Sequence, residues 1–115
     1  MAIQRIDPGV RFSQAVVHGD VVYLAGHTGT NPDDGVYEQT REILAQIDAH
    51  LAAAGSDKSK LLSASIWLPD IDTFGEMNRA WDEWVDPDNK PARATVEARL
   101  ASPDNKVEIA AIAAR

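Results

Sequence analysis

Arg93 and Glu108 are the two side chains whose types best fit a small-molecule site. A planar guanidinium can hold a carboxylate through two parallel hydrogen bonds. A carboxylate close by can take or relay a proton from water. The competing reading is a cross-strand ion pair of Arg93 with Glu97 or Glu108, which contributes little when exposed. On spacing alone the ion pair is the better-supported of the two.

Other chemistry-bearing residues point less far. His18, His27 and His50 fall in a turn, a loop and a helix, and none has a His-x-x-x-His spacing. His18 and His50 read as surface residues. His27 follows Gly26 at a strand end, where site residues often sit, and is a candidate to line a site. Asp70 to Gly75 begins like a calcium loop, but Phe74 and Trp81 occupy positions that need ligands, so helix capping is the better reading. Gly55-Ser-Asp-Lys58 lacks the spacing of a phosphate loop, and no Gly-x-Ser-x-Gly elbow is present. Trp67, Trp81 and Trp84 read as core or interface residues. Nothing in the sequence calls for a metal or an organic cofactor.

These residues must be positioned by elements with recognisable periods. Gln14–His18 and Val21–Ala25 read as strands joined at His18-Gly19-Asp20, and residues 26–35 read as loop. Residues 36–54 read as a helix with Val36, Thr40, Ile43, Leu44, Ile47, Leu51 and Ala54 on one stripe and Gly55 as its C-terminal cap. Residues 61–68 alternate, with Leu62, Ala64, Ile66 and Leu68 on one face and Ser63, Ser65 and Trp67 on the other. Thr73–Val85 reads as a second helix opened by a capping box, Thr73 to Glu76. Residues 92–100 alternate again, setting Arg93, Thr95, Glu97 and Arg99 against Ala92, Ala94, Val96, Ala98 and Leu100. Residues 106–114 form the last strand, with Glu108 on the face of Ala110 and Ile112. The pattern predicts one α+β domain over residues 1–115, a mostly antiparallel sheet with two helices on one face. It also predicts Arg93 and Glu108 on the uncovered face of neighbouring strands. That face is expected to pack on another copy of the chain.

Composition limits the partners. The 115 residues carry 18 acidic and 11 basic side chains, a net charge of -7. That balance argues against nucleic acid and anionic membrane as partners. With no cysteine, disulfides and thiolate chemistry are excluded. Met1–Asp7 is not a secretory signal and no run approaches the length of a membrane span. The default expectation is a cytoplasmic domain.

The C-terminal third narrows this further. Pro91-Ala-Arg93-Ala-Thr95-Val-Glu97-Ala-Arg99-Leu100, six further residues, then Val107-Glu108-Ile109 resembles the signature of the RidA family, also called YjgF/YER057c/UK114. Tyr23-Leu-Ala-Gly26-His27, Glu38 to Arg41, and Asp72-x-Phe74-x-x-Met77-Asn78-x-x-Trp81 extend the resemblance over nearly the whole chain. The resemblance implies a chorismate-mutase-like fold and a homotrimer whose sheets form a central barrel, with clefts between subunits. It implies hydrolysis of reactive 2-imino acids to 2-keto acids and ammonia without a cofactor. Arg93 matches the family arginine that binds the substrate carboxylate, and Glu108 the glutamate near the attacking water. Phe12, Gly26, His27, Trp81 and Thr95 match pocket positions. Phe12 stands where the best-known subgroup has tyrosine, Thr95 where it has cysteine, and His27 where it has glutamine. A trimeric module that binds small carboxylates without turnover is the alternative. RNA cleavage or a chaperone-like role is a third reading, and the negative charge weighs against RNA.

Overall fold

The computed structural model describes residues 2–115. The elements run β1 (Ile3–Pro8), β2 (Ser13–His18), β3 (Val21–Thr28), α1 (Val36–Ala53), β4 (Leu61–Leu68), α2 (Phe74–Trp84), β5 (Ala92–Glu97) and β6 (Glu108–Ala114). Short 3-10 turns at Lys58–Lys60 and Ile71–Thr73 lead into β4 and α2. All strands join one sheet in the order β1-β2-β3-β6-β4-β5. Only β4 and β5 pair in parallel, with α2 as the crossover between them. The expected α+β domain with a mostly antiparallel sheet is therefore what the chain forms. Among the described residues, no helix is long and apolar enough to cross a membrane.

The two sheet faces differ because the strands alternate. In β6, Ile109, Ala111 and Ala113 are buried under the helices, while Glu108, Ala110 and Ile112 turn to the other face. Val22 and Leu24 of β3 and Ala64, Ile66 and Leu68 of β4 point to the helix side as well. Both helices feed the same cluster, α1 through Ile43, Leu44, Ile47 and Leu51, α2 through Met77 and Trp81. The opposite face has no helix and exposes Tyr23 and Val96.

Local sequence explains the helix ends. Gly55 takes a φ of 78°, and Ser56 N–H donates to Leu51 O while Gly55 N–H donates to Ala52 O. This is the paired bonding of a helix ended by a left-handed residue. At α2 the expected capping box is absent: Thr73 makes no side-chain cap bond, and its hydroxyl donates back to Asp70 O at 2.6 Å. The cap has moved one turn earlier, where the Asp70 side chain accepts from Asp72 N–H. Gln39 is fully buried on α1 and joins two loops. Its amide donates to Asn31 O and Asp104 O and accepts from Lys106 N–H.

The strands depart from expectation in other places. β1 was not evident in the sequence; its residues are mostly exposed, and it carries no clear alternation. β3 runs on through Gly26 and His27 to Thr28, where a loop was expected, because a bulge absorbs the glycine. In β4 a register shift between Leu61 and Ser63 buries Leu61 and leaves Leu62 half-exposed. β5 stops at Glu97 rather than at residue 100, and β6 begins at Glu108 rather than at 106. The cap at Gly55 is the feature most open to a single-residue test. An added Cβ there meets nothing within 4 Å, so Gly55→Ala isolates the backbone cost. Loss of about 1–2 kcal/mol of unfolding free energy is expected by urea denaturation at fixed protein concentration.

Candidate active site

Arg93 and Thr95 lie on the helix side of the edge strand β5. They pair in register with Ala64 and Ile66, both core-facing, whereas Ala92, Ala94 and Val96 point to the open face. This reverses the sequence expectation for β5. The reason is that an edge strand needs little apolar burial, so its apolar row does not mark the core. The Arg93 guanidinium carbon stands 5.2 Å from the Trp81 ring centroid and 5.8 Å from that of Phe74. Its Nη1 donates weakly to the Met77 sulfur at 4.0 Å. Aromatic faces attract a cation at this range, and the attraction grows as water is excluded. Burial pulls the guanidinium's pKa down, opposed by the charge of Asp82. Among the described residues no carboxylate lies within ion-pair distance of it. The Thr95 hydroxyl is buried without a hydrogen-bond partner. Leaving such a group unsatisfied costs about 1–3 kcal/mol.

Glu108 lies elsewhere. β4 separates β6 from β5, and Glu108 points to the open face while Arg93 points to the helix side. The ion pair between them does not form, and neither does one with Glu97, whose carboxylate accepts from Ile71 N–H at 3.1 Å. The β3–β6 register slips between Leu24 and His27, making a bulge at Ala25 and Gly26. The Glu108 carboxylate occupies the space that a Cβ at Gly26 would need. A glycine is required there so that the carboxylate can lie against the backbone.

His27 faces away from Glu108. It is 2% exposed, on the helix side, where Ile109 is its pairing partner. Its Nδ1 lies 2.6 Å from Ala25 O and its Nε2 lies 2.8 Å from His50 Nδ1. His50 Nε2 lies 3.3 Å from an Asp7 carboxylate oxygen. Burial pushes the His27 pKa down, only partly opposed by the Ala25 carbonyl, and the neighbouring His50 adds to the fall. The expected role of His27 as a pocket-lining side chain is thus corrected, because the bulge turns it to the core. Phe12 is 59% exposed in the turn between β1 and β2. That turn belongs to the sheet end opposite β5.

The expected site residues therefore occupy separate places in one chain. The structure joins Arg93 with Trp81, and Gly26 with Glu108. It keeps these two groups apart from each other and from Phe12. Phe74 and Met77 were missed as partners of Arg93; their spacing with Trp81 along α2 was the available signal, but it reads as a core stripe. Nothing in the spacing signals that Asp7, His27 and His50 meet. Among the described residues no three His, Asp or Glu side chains converge in a way that could hold a metal ion.

The family model described as "Endoribonuclease L-PSP" matches residues 2–115. A RutC family protein of Haemophilus influenzae is 48% identical over 114 residues, covering 98% of each chain. The RutC family protein YoaB of Escherichia coli is 46% identical over 99% of each. Among solved structures, a YjgF family member from Neisseria meningitidis superposes with a TM-score of 0.97 at 43% identity, covering 100% of this chain and 96% of that one. A YjgF/YER057c/UK114 family protein from Mycobacterium tuberculosis gives 0.90 at 27% identity, covering 99% and 100%. The chain belongs to the YjgF/RidA/RutC family. The open sheet with two helices on one face is thus the RidA-family fold, and the placements of Arg93 and Glu108 described above are made within it.

Two measurements test this geometry. Gly26→Ala forces the Glu108 side chain to shift, and a flexible carboxylate moves at little cost to the fold. The expected outcome is a displaced Glu108 carboxyl resonance in 13C NMR with a nearly unchanged Tm. The second concerns His27. Its folded pKa lies below the ordinary 6.5, so the unfolded chain takes up this proton first. Stability from neutral His27 is complete above about pH 6.5 and declines as pH falls towards the folded pKa. Tm should drop on acidification through that window, and the drop should be shallower in His27→Gln.

Proposed function

We propose that this protein hydrolyses 2-imino acids to 2-keto acids and ammonia, in clefts that form between copies of the chain. The observation that carries the reading is the partly buried Arg93 guanidinium, seated on Trp81 and Phe74 without a carboxylate partner. A desolvated guanidinium with free donors is suited to a small carboxylate, which it can grip at both oxygens. The unpartnered Thr95 hydroxyl, two residues along the same strand face, offers a further hydrogen bond.

The reaction needs little more than positioning. The imine carbon is already electrophilic, so a held carboxylate and an oriented water supply most of the rate. Water adds to C2 while Glu108 accepts its proton. The imine nitrogen, protonated as the iminium, takes the electron pair of the C=N bond and becomes an amine on a tetrahedral carbon. Glu108 returns its proton to that nitrogen, the C–N bond breaks with its electron pair leaving on ammonia, and the hydroxyl loses its proton to water as the C=O bond of the keto acid forms. Within one chain Arg93 and Glu108 lie on opposite sheet faces, so the cleft takes Arg93 from one copy and Glu108 from the next. The bare sheet face favours such packing, and a homotrimer with a central barrel of three sheets is the assembly proposed. Phe12 in place of tyrosine removes one hydroxyl, Thr95 in place of cysteine keeps a hydrogen-bond donor but no thiol, and no covalent nucleophile is required.

The test is keto-acid release from 2-imino acids generated in place by an amino-acid oxidase. Wild type should accelerate release over buffer, and Arg93→Ala should lose at least about 100-fold in kcat/KM, close to the lower bound for two charge-assisted hydrogen bonds. Acceleration that survives Arg93→Ala contradicts the carboxylate anchor. No acceleration by the wild type, with Arg93-dependent keto-acid binding in calorimetry, would make the protein a binding module instead.

A further inference from the structure

A histidine pair remains that the proposed reaction does not use, His27 buried and His50 partly buried. Its hydrogens can be assigned from the acceptors around it. Ala25 O only accepts, so the His27 Nδ1 at 2.6 Å carries a hydrogen and donates it. Only one hydrogen fits between His27 Nε2 and His50 Nδ1 at 2.8 Å, and it must belong to His50 if His27 is neutral. A neutral His50 of that tautomer would then present a lone pair to the Asp7 carboxylate at 3.3 Å. The Asp7 contact is an ion-pair one, attractive when the His50 ring carries a hydrogen on both nitrogens. The hydrogen bonds then run in one direction, with His50 donating to His27 and His27 donating to Ala25 O, and the Asp7 carboxylate stands at ion-pair distance from the far side of His50.

Two features place this chain behind Glu108. The Ala25 carbonyl belongs to the peptide that leads into Gly26, and Glu108 rests against Gly26 from the other sheet face. That peptide lies in a bulge, where the β3–β6 ladder is interrupted and gives less restraint. Asp7 itself holds a φ of 48°, the one non-glycine residue with positive φ among those described. Such backbone costs about 1 kcal/mol and persists where its surroundings require it. The groups facing the pair are Asp7 from β1, Ala25 O from β3 and the apolar Ile109 from β6.

Resting on the reading of Glu108 as the group that handles the water's proton, we propose that Asp7, His50 and His27 are positioning residues. Their chain of contacts fixes the Ala25–Gly26 peptide and so seats the Glu108 carboxylate from the far side of the sheet. It also ties the peripheral strand β1 and the end of α1 to the centre of the sheet, so that a change at exposed Asp7 is felt at Glu108.

The test uses Asp7→Asn and His50→Gln. Asp7 is 70% exposed in its side chain, and asparagine tolerates the same backbone, so the first variant should fold. Each protein is labelled for 13C detection of the Glu108 carboxyl and 15N detection of histidine. In the wild type, the His27 hydrogen should be found on Nδ1. Both variants should displace the Glu108 resonance and lower kcat about tenfold, with KM and Arg93-dependent keto-acid affinity within about twofold. An unmoved Glu108 resonance in both variants overturns the proposal, and so does a moved resonance with unchanged kcat. If the wild type has no turnover, the deaminase reading fails. The Glu108 resonance then decides alone whether the chain positions that side chain.

Discussion

Two helices cannot cover both faces of a six-stranded sheet. α1 and α2 lie on one side, and the apolar rows of β3, β4 and β6 follow them there. The other side keeps Tyr23, Ala110, Ile112 and Val96 without cover. The same limit divides the polar residues. A side chain on the helix side can be partly desolvated against aromatic rings, as Arg93 is. A side chain on the open side, such as Glu108, keeps access to whatever packs there. Chemistry that needs both therefore needs a second surface.

The energetics of Arg93 point the same way. Removing a cation partly from water is costly unless an anion or hydrogen bonds replace the solvent. The rings of Trp81 and Phe74 recover part of that cost. A carboxylate from the chain itself would recover more and would also close the site. Glu97, the nearest acidic residue along the strand, is instead engaged by the backbone of Ile71. Among the described residues the arginine is left without a carboxylate partner from its own chain.

Much of the architecture was legible in the sequence because burial there follows simple periods. The α1 stripe was read from spacings of three and four, and every one of its members is buried. Gly55 was read as a left-handed cap for the same kind of local reason. The face of β5 was not legible. Its strict alternation fixes which residues share a side but not which side meets the helices, and at an edge strand the apolar row faces out. Leu62 was misassigned because a bulge shifts the period by one residue, and nothing local announces it. The family motif singles out Arg93 and Glu108 together, but strand order, a long-range property, decides that they do not meet in one chain. The contact of Asp7 with His50 likewise depends on packing between elements far apart in sequence.

The position of β6 bears on how the molecule comes to be folded. It follows every other strand in the chain, yet it lies at the middle of the sheet, between β3 and β4. Until it arrives, the β1-β2-β3 meander and the β4-α2-β5 unit share no strand pairing. Each would then present a bare ladder edge at the place where β6 will dock. During synthesis the sheet cannot close until the last strand has left the ribosome. The growing chain must hold two half-sheets soluble until then, a period when capture by chaperones or by another nascent copy competes with completion.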